Sequence, residues 1–267
     1  MGSFVAQRNG LPATVDDLTP RAFSGFAHFT AMQIRGGGVR GLDLHLARLR
    51  TASQQLYGSA LPDDAIIDYL AAAVVAGTED LSLMATVYSE EGEFVSAPDA
   101  AQLGVLVRTG EPFDGPAGPL ALESFEYERV LPEIKHVGEI AKTYFFRKAK
   151  ENGFDDAAFV DRHGKFSEAS IWNLAFWDGT SVVWPEAERL LGTTMSIVGR
   201  QLENLGVPQR EQSITHADLA ALTGAVVMNS WTPAVAVSRI DSVELADSGA
   251  LTDIMHRAWL NEPIIAL

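Results

Sequence analysis

The stretch EIKHVGEIAKTYFFRKAKENGFDDAAFVDRHGKFSEASIWN, residues 133–173, combines two residue types that can do chemistry. It carries lysines at 135, 142, 148 and 150, and it carries Glu168 in the short, mostly apolar run FSEASIWN. A lysine held at the end of an element among apolar neighbours is poorly solvated, and as a free amine it can attack a carbonyl carbon. Lys135 meets that description. It follows Pro132 and Ile134 and stands beside His136, ahead of a helix. Lys142, Lys148 and Lys150 fall inside the helix, where a lysine head normally reaches solvent. Spacing alone leaves Lys135 open between a catalytic amine and an ordinary surface residue. It leaves Glu168 open between a turn cap and the partner of a cation.

Two hydroxyl-rich segments and one arginine have the same ambiguity. LGTTM, 191–195, places a glycine and two threonines before a helix. Free backbone N–H groups at such a start bind phosphate, yet threonine is also an ordinary N-cap. NSWTP, 229–233, is a second segment of this kind, at a strand end. Arg48 lies one turn from His45 in HLARL, on an amphipathic helix where an arginine is usually exposed.

The elements that must position these residues alternate irregularly. RAFSGFAHFTAMQI, 21–34, reads as a strand, followed by a helix over LDLHLARLRTASQQLYG and another over DDAIIDYLAAAVVAG. Strands at 81–89 and 101–109 come next. GEPFDGPAGPL, 110–120, has the proline and glycine content of a linker. Beyond it the pattern predicts a helix over 138–151, strands over 156–161, IWNLAFW and SVVWP, and helices near 194–205, 216–222 and 250–260. Strands are also expected over 225–230 and 234–241. Strands in hairpins, not strictly alternated with helices, indicate an α+β fold in two domains. The expected division is a small N-terminal domain over 1–112, a linker over 113–120 and a larger C-terminal domain over 121–267.

The bulk composition excludes several classes. Among 267 residues, 47% are hydrophobic and 21% charged, as in a soluble globule. The net charge of -15 disfavours nucleic acid and anionic membrane as partners. Cysteine is absent, so thiolate chemistry and disulfides are too. The six histidines have no metal-site spacing, and no metal is expected. No apolar run has transmembrane length. The start, MGSFVAQRNG, lacks a basic region followed by an apolar one, and the expected location is cytoplasmic.

Taken in order, these pieces resemble the class IV aminotransferase family, the fold-type IV pyridoxal phosphate enzymes. Its members include branched-chain and D-amino-acid aminotransferases, R-selective amine transaminases and aminodeoxychorismate lyase. The resemblance runs from about residue 22 to 241. HLARL resembles the family's H-x-x-R-L helix, which implies that Arg48 contacts the cofactor phosphate. IKH, 134–136, resembles the segment of the cofactor-binding lysine and implies that Lys135, not Lys142, is catalytic. GFDDAAFVDRHGKFSEASIWN resembles the most diagnostic stretch, in which a glutamate meets the pyridine nitrogen and an asparagine follows five positions later. That implies Glu168 and Asn173. LGTTM and SWT resemble the two phosphate-side turns, implying Thr193, Thr194, Ser230, Trp231 and Thr232 as cofactor residues. Glu168 follows Lys135 by 33 positions.

The resemblance further implies pyridoxal 5'-phosphate as cofactor, a homodimer with the active site between domains, and a small-molecule amino donor with a 2-oxo acid acceptor. An aminodeoxychorismate lyase-type enzyme is the alternative that the IKH wording favours, and a catalytically weak homologue that binds the cofactor is another. Departures from the pattern fall on substrate recognition. MATVYSEEGE has no arginine after the third strand, Ile140 stands where branched-chain enzymes carry a tyrosine, and Met195 replaces a closing arginine. Phe26, Phe29, Tyr88 and Trp231 are the expected walls of a substrate pocket more apolar than a dicarboxylate site.

Overall fold

The computed structural model describes residues 5–22, 24–94, 103–245 and 248–267. The chain forms two compact units. One holds the chain through Phe113, together with Ile134–Gly138 and Ile264–Leu267; the other holds Asp114–Glu133 and Glu139–Pro263.

In chain order, the first unit contains β1 (Ala6–Arg8), β2 (Leu11–Pro12), α1 (Val15–Ala22), β3 (Ala27–Ile34), β4 (Gly38–Arg40), α2 (Leu42–Tyr57), α3 (Asp63–Val75), β5 (Leu81–Ser89) and β6 (Leu103–Gly110). The helix α1 takes part of the stretch expected as strand. Thr14 and Asp17 explain it, because each side chain bonds the other residue's backbone N–H, a reciprocal cap that starts a helix. The strands form an antiparallel sheet in the order β2-β1-β6-β5-β3.

Alternate residues of this sheet, among them Met32, Ile34, Leu83, Ala85, Val105 and Val107, pack against Leu42, Leu46, Leu49, Ile66 and Leu70 of α2 and α3. The opposite face carries Phe29 and, two pairs further along, Tyr88, which is paired with Ala27. The edge of β3 is covered by residues 135–137. Phe29 N–H donates to the Lys135 carbonyl at 2.9 Å, and Val137 N–H donates to the Ala27 carbonyl at 3.0 Å. This pairing keeps residues 135–137 extended, so the next helix starts at Ile140 and not at 138.

The second unit contains β7 (Leu120–Glu126), α4 (Ile140–Glu151), β8 (Asp156–Val160), β9 (Phe166–Ala169), β10 (Asn173–Trp177), β11 (Val182–Pro185), α5 (Thr193–Asn204), β12 (Gln209–Gln212), β13 (Gly224–Met228), β14 (Val235–Ile240), β15 (Val243–Glu244) and α6 (Gly249–Asn261). The helix expected near 216–222 is only a 3-10 turn, Leu219–Ala221. A last strand, β16 (Ile264–Ala266), returns to the first unit and pairs with β4. Strands β10, β13, β14, β7, β8 and β9 are neighbours in that order, and β9 pairs back to β10, so the sheet closes into a barrel. Phe166, Leu174, Phe176, Val227, Val235 and Val237 fill its interior. Ala175, Trp177, Val226 and Met228 point outward to α5 and α6. Ala157 and Phe159 point outward to α4.

A bulge breaks the alternation in β9. Ala158 pairs with Ala169 and Val160 with Phe166, so three steps on β9 oppose two on β8. Phe166 and Ala169 both belong to the interior cluster, although they are an odd number of residues apart. The extra residue lets Glu168 leave the interior face that it would share with Phe166 under strict alternation.

Two buried histidines tie the first unit's stability to pH. His28 Nε2 lies 2.9 Å from Ser53 Oγ, and His45 Nδ1 lies 2.6 Å from Thr30 Oγ1. Burial pushes His28 down to about 4. Burial, reinforced by the Arg48 charge, pushes His45 down to about 3. Below the ordinary histidine value of 6.5 the unfolded chain takes up protons that the folded chain refuses. Stability is therefore intact above about pH 6.5 and is lost as pH falls toward 4. A shift of this size costs on the order of 3 kcal/mol per histidine. Urea unfolding of wild type and His28→Gln between pH 7 and pH 4 checks this. The acid-side slope should be shallower in the variant, and equal slopes would contradict it.

Candidate functional site

In the second unit, the pair that closes the barrel is Glu168 opposite Asn173. Residues directly opposite in an antiparallel pair share a face. Here that face is the outside of the barrel, and the two side chains reach different neighbours. Asn173 Nδ2 donates to the Leu190 carbonyl at 2.6 Å, fastening the loop that leads into α5. Gly192 ends that loop, and a Cβ there would stand 1.9 Å from Asn173 Oδ1. Only glycine fits beneath the asparagine.

The start of α5 is built to receive an anion. Its N-cap is Gly192, extended and without a side-chain cap. The first helical turn thus keeps N–H groups that a Ser, Thr or Asp cap would otherwise take. Thr193 and Thr194 are both buried there. Thr194 Oγ1 donates to the Asn229 carbonyl at 2.7 Å, joining the helix start to the loop 229–232. Within that loop Asn229 Oδ1 accepts from Trp231 N–H at 2.8 Å, and Asn229 N–H donates to the Thr232 carbonyl at 3.1 Å. Thr193 Oγ1 is buried and has no hydrogen-bond partner among the described residues. A buried hydroxyl without a partner costs about 1–3 kcal/mol. It sits at the positive end of a helix dipole, where an anion would satisfy it.

Glu168 lies in a buried cluster of charge. Lys142 Nζ donates to Glu168 Oε1 at 2.8 Å, and Arg129 Nη1 is 3.6 Å from the same oxygen. Glu139 completes the group, 3.5 Å from Lys142 and 3.4 Å from Arg129. Tyr127 lies within reach of these charges; burial and then Glu139 push its hydroxyl up from the ordinary value. The expectation that Lys142 faces solvent is thus overturned. Lys142 is 7% exposed, while Ile140 and Tyr144 on the same helix are 86% and 56% exposed. The helix turns its charged residue inward because Glu168 and Glu139 are there to pair it. Lys148 and Lys150 are exposed, as expected. Sequence reading missed Arg129, Glu139 and Lys142 as a set; the i,i+3 spacing of Glu139 and Lys142 is the one local signal of it.

In the first unit, the edge pairing sets Lys135 beside Phe29, and Lys135 Nζ is 4.9 Å from the centre of the Phe29 ring. Phe26 is partly exposed and packs edge-on against Tyr57. Tyr88 is buried over Gly104, where a Cβ would strike its ring. Arg48 is half-buried on α2, one turn beyond His45.

Elsewhere in the second unit, Ser124, His216 and Asp241 meet, a set of residue types that hydrolases use. Ser124 Oγ and Asp241 Oδ2 both lie 2.9 Å from the same ring nitrogen, His216 Nε2. A catalytic histidine needs one partner on each nitrogen, so this cluster is structural. Among the described residues no group of side chains is placed to hold a metal ion.

The chain matches the amino-transferase class IV family over residues 27–240 and belongs to it. A probable branched-chain-amino-acid aminotransferase of Rickettsia typhi is 30% identical over 121 residues, a stretch that covers 43% of this chain and 41% of the relative. Among solved structures, an aminotransferase from Brucella abortus bound to the co-factor PLP superposes with a TM-score of 0.83 at 18% identity, covering 97% of this chain and 98% of that one. Branched-chain aminotransferase from Thermoproteus uzoniensis with norvaline gives 0.81 at 20% identity, covering 97% and 94%. The architecture is that of the two-domain fold-type IV pyridoxal phosphate enzymes with a β-barrel core. The residues fit that cofactor. The uncapped α5 start with the unpartnered Thr193 hydroxyl suits a phosphate, and the Glu168 carboxylate suits a protonated ring nitrogen.

The Gly192–Asn173 contact can be checked against a second glycine of the same helix. Gly192→Ala should destabilise by about 1–3 kcal/mol through overpacking and should weaken pyridoxal phosphate binding. At Gly199 a Cβ would meet only Gln209 Oε1 at 3.8 Å, so Gly199→Ala should be neutral or stabilising by up to about 1 kcal/mol. Urea unfolding and cofactor titration read both, and equal effects of the two changes would contradict the close approach.

Proposed function

We propose that this chain is a pyridoxal phosphate-dependent transaminase that moves an amino group from an amine or neutral amino acid to a 2-oxo acid. The observation that carries the reading is the barrel-closing pair, which aims Glu168 at a charged cluster and Asn173 at an anion-receiving helix start. Bound at such residues, the cofactor supplies an electron sink for the substrate's α-carbon.

The chain's own residues take the remaining roles. Lys135 is the amine that attaches the cofactor and moves a proton at the substrate α-carbon. Glu168 accepts a hydrogen bond from the ring nitrogen. Arg48, Thr193, Thr194, Ser230, Trp231 and Thr232 hold the phosphate, and Asn173 keeps their loop in place. The expected assembly is a homodimer. Val130 and Leu131, and Ile140 and Tyr144 on α4, are exposed apolar side chains of the second unit, groups of the kind that a second copy would cover.

Phe26, Phe29, Tyr88 and Trp231 are the proposed walls of the substrate pocket. Phe29 and Tyr88 share the sheet face opposite α2 and α3; β5 carries no arginine, Arg8 beside Tyr88 is paired with Glu90 and Asp17, and Arg108 of β6 is exposed. A donor carboxylate without an arginine partner forgoes a charge-assisted bond. Hydrophobic amines and neutral amino acids should therefore exceed glutamate in kcat/KM when both enantiomers of each donor are compared. A clear preference for glutamate would contradict the apolar pocket. Pyruvate release from aminodeoxychorismate would favour the lyase reading, and bound cofactor with no turnover the weak homologue.

Borohydride reduction followed by peptide mass mapping tests the assignment of the lysine. The pyridoxyl adduct should fall on Lys135, vanish in Lys135→Ala and persist in Lys142→Ala. An adduct on any other lysine would overturn the assignment.

A further inference from the structure

We propose that Lys142 is a positioning residue for Glu168: its ammonium holds Oε1 and so leaves Oε2 directed at the cofactor's ring nitrogen. The inference rests on the reading of Glu168 given above and deepens it.

A buried ammonium costs several kcal/mol unless it is paired and hydrogen-bonded. Lys142 meets that cost with a 2.8 Å bond to Glu168 and a 3.5 Å approach to Glu139. Purely structural needs would not demand the arrangement, since apolar residues of similar volume commonly replace buried ion pairs without loss of stability. The cluster of Arg129, Glu139, Lys142 and Glu168 side chains, 3%, 15%, 8% and 5% exposed, instead surrounds a residue whose work is electrostatic.

Its geometry is one-sided. Lys142 and Arg129 both approach Oε1, at 2.8 and 3.6 Å, and among the described residues hydrogen bonds to the carboxylate reach Oε1 alone. The β9 bulge fixes the Glu168 backbone, but the side chain retains three torsions of its own. A charge-assisted bond to one oxygen removes that freedom and leaves the other oxygen's lone pairs with a set direction. Lys142 comes from the first turn of α4, which is anchored to the barrel through Ala149, Ala157 and Phe159, so the ammonium sits on a rigid element.

A double-mutant cycle on the full chain tests this, with the dissociation constant for pyridoxal phosphate read by fluorescence titration of the apoprotein. Lys142→Met should raise that constant at least roughly tenfold, a differential interaction of about 1.4 kcal/mol. Lys142→Arg should recover most of the loss. In the Glu168→Gln background, Lys142→Met should add less than about twofold, because the residue it positions is already altered. Equal effects in the two backgrounds, or no recovery with arginine, would show that Lys142 serves only the fold and would overturn the proposal. If Lys142→Met does not fold, Lys142→Gln, which keeps a donor but loses the charge, carries the same cycle. The absorbance maximum of its bound cofactor should then move in the Glu168 background and stay fixed in Glu168→Gln, and the reverse pattern would overturn the proposal. Borohydride mapping of the folded variants separates failure of this idea from failure of the Lys135 assignment. An adduct on Lys142 in wild type defeats both, whereas an adduct on Lys135 with an additive cycle defeats only this one.

Discussion

The second unit depends on one strand pairing, Glu168 opposite Asn173. Without it, β9 would be left as an open edge and the start of β10, ahead of its pairing with β11, would be uncovered, so that N–H and C=O groups lose their partners. With it, the ring of strands closes and its apolar interior is sealed. The same pairing fixes which way two candidate site residues point. A slip of β9 by a single residue would turn Glu168 toward the interior, where a carboxylate has no partner, while β13 holds Asn173 in place. Fold stability and site geometry therefore select the same register.

The two sides of this pair have opposite electrical character. Asn173 and Gly192 bring the loop close to the barrel and let α5 begin with its N–H groups uncapped, which is a positive surface. Glu168 presents a carboxylate held by buried cations, with Glu139 balancing the second charge. A ligand with a phosphate at one end and a protonated ring nitrogen at the other matches that polarity. A chain with a net charge of -15 can still receive such an anion, because helix-start amides and a few buried donors act over ångströms while the surface charge is screened within about 10 Å.

Much of the fold was legible in the sequence where one periodicity ruled. The strand expected at 81–89 coincides with β5, and the helices expected near 194–205 and 250–260 lie within a residue or so of α5 and α6. Prediction failed where a local device outweighed the pattern. The Thr14–Asp17 cap starts a helix that runs to Ala22, two residues into the stretch expected as strand, and β7 follows the proline- and glycine-rich linker with no strand expected there. The bulge in β9 and the closing of the barrel left no periodic signal at all. Within the candidate site, the expectation of Glu168, Asn173 and the threonines comes from family resemblance and not from residue spacing. Lys142 was misread because α4 buries a charge and exposes Ile140, an inversion that hydropathy cannot register. Only the position of its partner, distant in sequence and fixed by the barrel, accounts for that inversion.

The most direct measurement of the central claim is the single-turnover rate of the amino-donor half-reaction in Glu168→Gln, loaded with pyridoxal phosphate and followed by stopped flow. If the barrel-closing pair presents this carboxylate to the ring nitrogen, the variant should keep its fold and bind the cofactor, while the half-reaction slows by at least roughly 10²-fold. A rate equal to wild type, at full cofactor occupancy, would contradict the account, because Glu168 would then lie away from the reacting centre.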